Sequence, residues 1–338
     1  MKNKKILVIG AGWYGCHIAL YLKNLGHNIT IFEKNKDIFL GSSGYNQFRL
    51  HTGYHYPRSS DTINETKINY LKFKRLYKKF IYFPKNNIYC IANKKSLIDS
   101  ESYKTLIRAQ KLKLKIKSFR FLNDIEDSFI SNEGVLLNNK IKNFYKKELK
   151  DNLFFKKKVK DIKKLRKEYD FILDCSNSTF KNKLNNNFKY VLTISLVYKK
   201  RKNHTIYPIT IMDGELPSLY PYADKKNFYT LTHSKYTHIK RFRSINALEL
   251  FKKKINKKEI SKIKNNMEKE IINYFPKFKK MLTYKTYFLS YKVLPNEKSA
   301  KRSIFISRDR NLIMCTSPKI TNIFSFQDYI EKIIWNEK

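Results

Sequence analysis

Ile6-Leu7-Val8-Ile9-Gly10-Ala11-Gly12-Trp13-Tyr14-Gly15 decides how this chain of 338 residues is read. The first four residues form a short aliphatic run, as in a parallel strand buried on both faces. The run enters the pattern GxGxxG, a helical stretch from about His17 to Leu25 follows, and Gly26 is placed to end it. Asn28-Ile29-Thr30-Ile31-Phe32 reads as a second strand that closes on Glu33. Strand, glycines, helix, strand and acid in that order predict a dinucleotide-binding βαβ unit. Gly10 permits the tight turn, Gly12 lets the backbone approach a diphosphate, and Gly15 lets the helix lie close on the strand. The helix N-terminus offers free N–H groups and a positive dipole end to phosphate, and Trp13 and Tyr14 are candidate cofactor contacts. Glu33 would accept hydrogen bonds from a ribose diol, with Lys34 beside it. The motif alone serves FAD and NAD equally.

Composition bounds the rest. Hydrophobic residues make up 42% and aromatics 15%, which excludes a mainly disordered chain. Cys16, Cys90, Cys175 and Cys315 lie far apart without a CxxC pair. That excludes a disulfide scaffold and a cysteine zinc module, and the expectation is a reducing, cytoplasmic setting. No segment reaches the ~18 apolar residues of a membrane span. The start Met1-Lys2-Asn3-Lys4-Lys5 imitates a secretory leader, but the glycines at 10, 12 and 15 break the apolar run at once. Lys+Arg total 71 against 28 Asp+Glu, a net charge of +43. Lys, Asn, Ile, Tyr and Phe abound while Gly is 9 and Pro 8, the bias of AT-rich codons. Codon usage therefore accounts for most of the charge. What remains predicts weak association with anionic surfaces at low salt, and no specific nucleic-acid partner.

Residues 41–59, Gly41-Ser42-Ser43-Gly44-Tyr45-Asn46-Gln47-Phe48-Arg49-Leu50-His51-Thr52-Gly53-Tyr54-His55-Tyr56-Pro57-Arg58-Ser59, lack helical periodicity. A plain Rossmann crossover would place an amphipathic helix here, and a long aperiodic polar loop is usually functional. With the opening motif and Glu33, this stretch resembles the FAD-dependent oxidoreductases of the D-amino-acid oxidase and glycine oxidase superfamily. The resemblance implies FAD as cofactor, bordered by Ser42, Ser43, Asn46 and Gln47. It implies that Arg49, His51 and residues Tyr54 to Arg58 come near the flavin ring and a small-molecule substrate.

Farther along, Asp61 to Phe80 reads as a helix with Thr62 and Glu65 at capping-box spacing. Asn87 to Ala92 reads as a strand. Glu133-Gly134-Val135-Leu136-Leu137, followed by an amphipathic helix to Asp151, resembles the superfamily segment that returns to the cofactor domain. Tyr169 to Thr179 resembles the returning parallel strand and its turn, with Ser176-Asn177 where relatives carry glycine. Asn tolerates positive φ. Between Phe188 and Phe242 apolar and polar residues alternate, with an Asp213-Gly214 hairpin turn. That stretch resembles the superfamily's substrate domain, and Tyr56, Tyr220 and Tyr222 are candidate substrate contacts. Leu248 to Phe275 reads as one long Lys-rich helix. Residues 303–322 read as two strands and a loop entering a final helix, and a Lys319-Ile320-Thr321 run resembles a flavin-proximal turn.

The expected fold class is α/β: a Rossmann-like FAD-binding domain with a parallel sheet, plus a second, mainly antiparallel substrate domain. The resemblance implies a discontinuous FAD-binding domain of residues 1–85, 135–182 and 300–338, and a substrate domain of residues 86–134 and 183–299. The expected reaction oxidises a C–N or C–O bond of a small, polar, anionic substrate. Arg49 and Arg58 would grip the anion, and His51 or His55 would move a proton. The electron acceptor and the oligomeric state are open. An NAD-linked dehydrogenase and a flavin-dependent nucleotide-sugar mutase share the opening motif and remain alternatives. A basic nucleic-acid-binding protein is a third.

Overall fold

The computed structural model describes residues 3–178, 188–222, 224–295 and 304–336. Thr179, residue 303 and the expected boundaries at 182/183 and 299/300 lie outside the described residues. The opening strand, Lys5–Ile9 (β1), lies inside a six-stranded sheet. Asn28–Phe32 (β2) flanks it on one side and Phe171–Asp174 on the other, both parallel, with Ile6 opposite Ile29 and Phe171. Leu312–Thr316 adds a further parallel strand, Leu153–Phe154 closes one edge, and Phe305–Asp309 closes the other antiparallel. Ile6, Leu7, Val8, Ile172 and Leu173 are fully buried. Such strands read as unbroken apolar runs because both faces are covered. Helices Trp13–Asn24 (α1) and Ile323–Asn336 cover one face through Ile18, Leu22, Phe326 and Ile330.

The second sheet has nine strands and is antiparallel except where Asn87–Ala92 runs parallel to Ile209–Met212. Its long central pair, Phe188–Lys200 and Leu282–Pro295, sits beside Phe228–His233 and Pro217–Pro221. Ile194, Leu196, Leu219 and Leu231 share one core with Met267 and Ile271 of the helix Lys257–Tyr274. The other face turns to a cavity shared with the first sheet. A small third sheet joins Arg49–Leu50, Gly134–Leu136 and Ile81–Tyr82. Among the described residues no helix is long and apolar enough to cross a membrane.

Three elements differ from the sequence reading. Helix α1 starts at Trp13, directly after Gly12, and not near His17. The helix Ser60–Tyr77 is capped by Ser59, whose hydroxyl accepts from the Thr62 N–H at 3.3 Å, so Thr62 lies inside it. The Lys-rich helix is two helices, Ile245–Lys254 and Lys257–Tyr274. Asn256 breaks it with a capping box: its Oδ1 accepts from the Glu259 N–H at 2.9 Å, and the Glu259 carboxylate accepts from the Asn256 N–H at 3.1 Å. Reciprocal capping satisfies donors that a continuous helix would satisfy internally.

Gly15 sets the approach of α1 to β1, because a Cβ there would lie 1.9 Å from the Gly10 carbonyl oxygen. Gly15→Ala should destabilise the fold by about 3 kcal/mol or more through overpacking against fixed backbone. Gly41→Ala, with φ −94° and nothing within 4 Å of its Cβ, should stay within about 0.5 kcal/mol. Denaturant midpoints of the two variants check the pair; equal midpoints would refute the packing argument.

Candidate active site

The glycine turn is built from both ends. Gly10 holds φ +98°, and a Cβ on it would lie 3.0 Å from the Cys175 carbonyl oxygen. A Cβ on Gly12 would lie 2.9 Å from Ser43 Oγ. No side chain caps α1 at Gly12, and the first helical N–H, that of Trp13, donates to Ser43 Oγ at 3.0 Å. Glu33, at the end of β2, accepts from the Ala11 N–H at 2.8 Å and from the Asn35 N–H at 2.9 Å. The carboxylate therefore ties the turn to the second strand. An uncapped helix start, a glycine cradle that a Cβ would fill, and an acid at its rim suit a dinucleotide diphosphate and ribose. Gly10, Gly12, Trp13, Tyr14, Glu33, Lys34, Ser42, Ser43, Asn46 and Gln47 all border a cavity of about 1120 Å³. That volume exceeds the ~300–1000 Å³ of ordinary small-ligand sites.

The far part of the cavity holds the titratable groups. Arg49, His51, His55, Tyr56, Arg58, Lys319, Ile320 and Thr321 line it. Pairing of Arg49–Leu50 with Gly134–Leu136 brings Glu133 beside His51. Glu133 Oε2 is 3.3 Å from His51 Nδ1 and 3.7 Å from Arg49 Nη2, and it accepts from Tyr89 Oη at 2.5 Å. Glu133 Oε1 accepts from the Thr52 N–H at 2.8 Å. Burial works against the charge, but His51, Arg49 and Tyr89 outweigh it and hold the carboxyl at about 2. Burial dominates at His51 and lowers its pKa, so the imidazole is neutral at pH 7. The Arg49 guanidinium lies 4.1 Å over the Tyr220 ring, and its Nη2 donates to Tyr89 Oη at 2.6 Å. His51 and His55 stack at 4.9 Å between ring centroids, with Tyr56 edge-on to both at 5.4 Å. Lys319 is 8% exposed; its Nζ donates to Thr66 Oγ1 at 2.9 Å and lies 4.6 Å over Tyr56.

Several expected residues sit elsewhere. Tyr220 and Tyr222 do not line the cavity. Tyr220 is fully buried behind Arg49 and donates to Asn87 Oδ1 at 2.5 Å. Tyr222 stacks between Phe48 and Phe288. Both lie on the same strand face as Ser218 but pack into the aromatic and aliphatic cluster shared with the first sheet, beyond the edge of the cavity. The Trp13 side chain is also core, stacked on Phe39 with Nε1–H donating to Asn138 Oδ1, so only its backbone faces the turn. Gly15 packs helix on strand and does not border the cavity. Arg58 stands at the rim, its side chain 59% exposed and paired with Asp213 at 2.5 Å. Glu133, Tyr89 and Thr52 escaped the sequence reading. A lone acid before a glycine looks like a turn, and its partners lie far off in the chain.

Glu133→Gln should cost about 3–5 kcal/mol, because it strands a buried guanidinium without its counter-charge. The sign with pH follows from the carboxyl being held at about 2, below its usual 4.5. Its contribution is complete above pH 4.5 and is lost as pH falls toward 2. Denaturant midpoints of both proteins across that range check this, and the variant should lack that part of the acid slope.

Residues 5–133 match the family model described as FAD dependent oxidoreductase (DAO). The chain is 28% identical over 339 residues to the FAD-dependent monooxygenase FPY4 of Fusarium mangiferae, covering 98% of this chain and 91% of that protein. Its fold matches glycine oxidase from Geobacillus kaustophilus at TM-score 0.69 and 12% identity, over 96% of this chain and 91% of that one. It also matches dithionite-reduced L-alpha-glycerophosphate oxidase from Mycoplasma pneumoniae with FAD bound at TM-score 0.68 and 13% identity, over 97% and 94%. The glycine cradle and the acid at its rim agree with these likenesses, and residues 5–133 are similar to the FAD-dependent oxidoreductases of the DAO family.

Proposed function

We propose that this enzyme oxidises a C–N or C–O bond of a small anionic substrate bound between Arg49, His51 and Lys319. The convergence of these three groups on one cavity wall carries the reading. FAD, when bound, supplies the two-electron acceptor for the substrate hydride. Gly10, Gly12, Ser43 and Glu33 would hold its diphosphate and ribose.

Arg49 is the anion anchor. Its Nε–H is buried and has no hydrogen-bond partner among the described residues, so a carboxylate oxygen would complete it. Lys319 adds the second cation. The Glu133 carboxylate faces His51 Nδ1 and can only accept, which favours the proton on Nδ1 and leaves Nε2 as the base. His51 thus takes the substrate proton while Arg49 fixes the anion.

Anaerobic bleaching of the flavin absorbance by small amino and hydroxy acids tests this reading. His51→Asn should slow bleaching about 100-fold or more with FAD still bound. Arg49→Met should weaken substrate binding chiefly. Full rates in both His51→Asn and His55→Asn would reject the proton role. The pKa of His51 lies below 6.5, so kcat/KM should be level across pH 7 and fall only as pH drops through that lowered value.

Oxygen transfer is a second reading, favoured by the name of the Fusarium relative. Product formed under ¹⁸O₂ separates the two. Labelled product supports oxygen transfer; unlabelled product with hydrogen peroxide supports oxidation.

A further inference from the structure

The nine-stranded sheet turns an unusual face to the cavity. Thr193 and Ser195 of Phe188–Lys200, Ser218 of Pro217–Pro221, Thr232 of Phe228–His233 and Ser290 of Leu282–Pro295 all line it. Thr193 lies opposite Ser290, and Ser218 lies opposite Thr232. Ser195 follows Thr193 on the same face. Side chains directly opposite one another in a sheet are ~5 Å apart, and neighbours along a strand face are ~7 Å apart. The five hydroxyls therefore form a band wide enough for a six-membered ring. The band begins two residues from Tyr220, the ring that carries the Arg49 guanidinium.

Two observations separate this band from an ordinary wet sheet face. Thr193, Ser195, Ser218 and Ser290 are each at most 8% exposed. None of the five hydroxyls makes a hydrogen bond within the described residues. None of their oxygens is among the buried side-chain atoms without a partner, so they open to the cavity and present donors and acceptors to whatever fills it. The back of the same strands is apolar, with Ile194, Leu196, Leu219 and Leu231 in the core, so the hydroxyls sit where apolar side chains would also pack. A site built this way favours a ligand that returns hydrogen bonds and rejects an apolar one of equal size.

Resting on the anion reading above, we propose that the substrate is a polyhydroxylated carboxylate of monosaccharide size. Its carboxylate lies at Arg49 and Lys319, and its hydroxyls lie on the Thr193–Ser195–Ser218–Thr232–Ser290 band.

The experiment titrates FAD-loaded protein with D-glucuronate and with cyclohexanecarboxylate, which has the charge and ring size without the hydroxyls. Perturbation of the flavin absorbance reports binding. Glucuronate should bind at least tenfold more tightly. In Thr193→Val/Ser195→Ala that advantage should fall below threefold, with cyclohexanecarboxylate affinity and thermal midpoint unchanged. Valine suits a strand at Thr193, and Ser290→Ala repeats the test on a separate strand should the double variant not fold. Equal or tighter binding of cyclohexanecarboxylate, or an advantage untouched by both variants, overturns the proposal. Arg49→Met separates the two readings. If it weakens both acids alike while glucuronate holds no advantage, the anion site stands and the hydroxyl proposal fails. If it changes neither affinity while the advantage persists, the anion reading fails and the hydroxyl band stands. Binding of neither acid rejects both.

Discussion

A carboxylate with no solvent exposure, Glu133, is the constraint around which the site is arranged. An ionised acid in a protein interior is unstable unless charges and donors surround it. Glu133 meets that demand with Arg49 and His51 from one loop, the Thr52 backbone, and Tyr89 from the nine-stranded sheet. The partners come from three parts of the chain, so the charge can be buried only when the loop, the short sheet and the large sheet have all assembled. The same contacts fix what lies on the cavity side. Arg49 is held over the Tyr220 ring, and His51 keeps Nδ1 toward the acid.

The two large sheets divide the work by their faces. The parallel sheet is apolar on both sides and ends in the glycine turn, so its contribution is backbone: N–H groups, a helix start and space where side chains are absent. The nine-stranded sheet is apolar behind and polar in front, so its contribution is side chains. The loop 41–48 stitches them together. Ser42 Oγ donates to the Tyr291 carbonyl at 2.7 Å, and Gln47 Nε2 donates to the carbonyls of Ser218 and Thr230 at 3.3 and 3.2 Å. The cavity between the sheets is partly shielded from water, which strengthens the electrostatic contacts within it.

The net charge of +43 has little to do with this wall. Many lysines lie on exposed surfaces, as along Lys257–Tyr274, while only a few charged side chains, among them Arg49, Lys319, Glu33 and Glu133, are buried at or behind the cavity. A large overall field attracts anions generally, but selection within the site depends on the few charges removed from screening.

Local chemistry was legible from residues 6–33 alone. A glycine turn, an aliphatic strand and a terminal acid each impose their geometry within a few residues of chain, so the dinucleotide-binding βαβ unit and its GxGxxG turn could be read directly, and the choice of FAD needed the loop that follows. The stretch from Arg49 to Arg58 announced itself by its aperiodic polar composition, though not which of its side chains turn inward. Asn256 and Glu259 carried a capping signature that splits the Lys-rich helix, and the apolar spacing on either side concealed it. What the chain could not disclose by itself was pairing between distant segments. Glu133 gains its meaning from a two-residue strand at Arg49–Leu50, Tyr220 retreats behind Arg49, and five hydroxyls meet from four strands. Backbone preferences act over a turn of helix or a pair of strands and are written locally. A buried charge or a shared sheet face exists only once remote segments exclude water together, and that is decided by the tertiary fold.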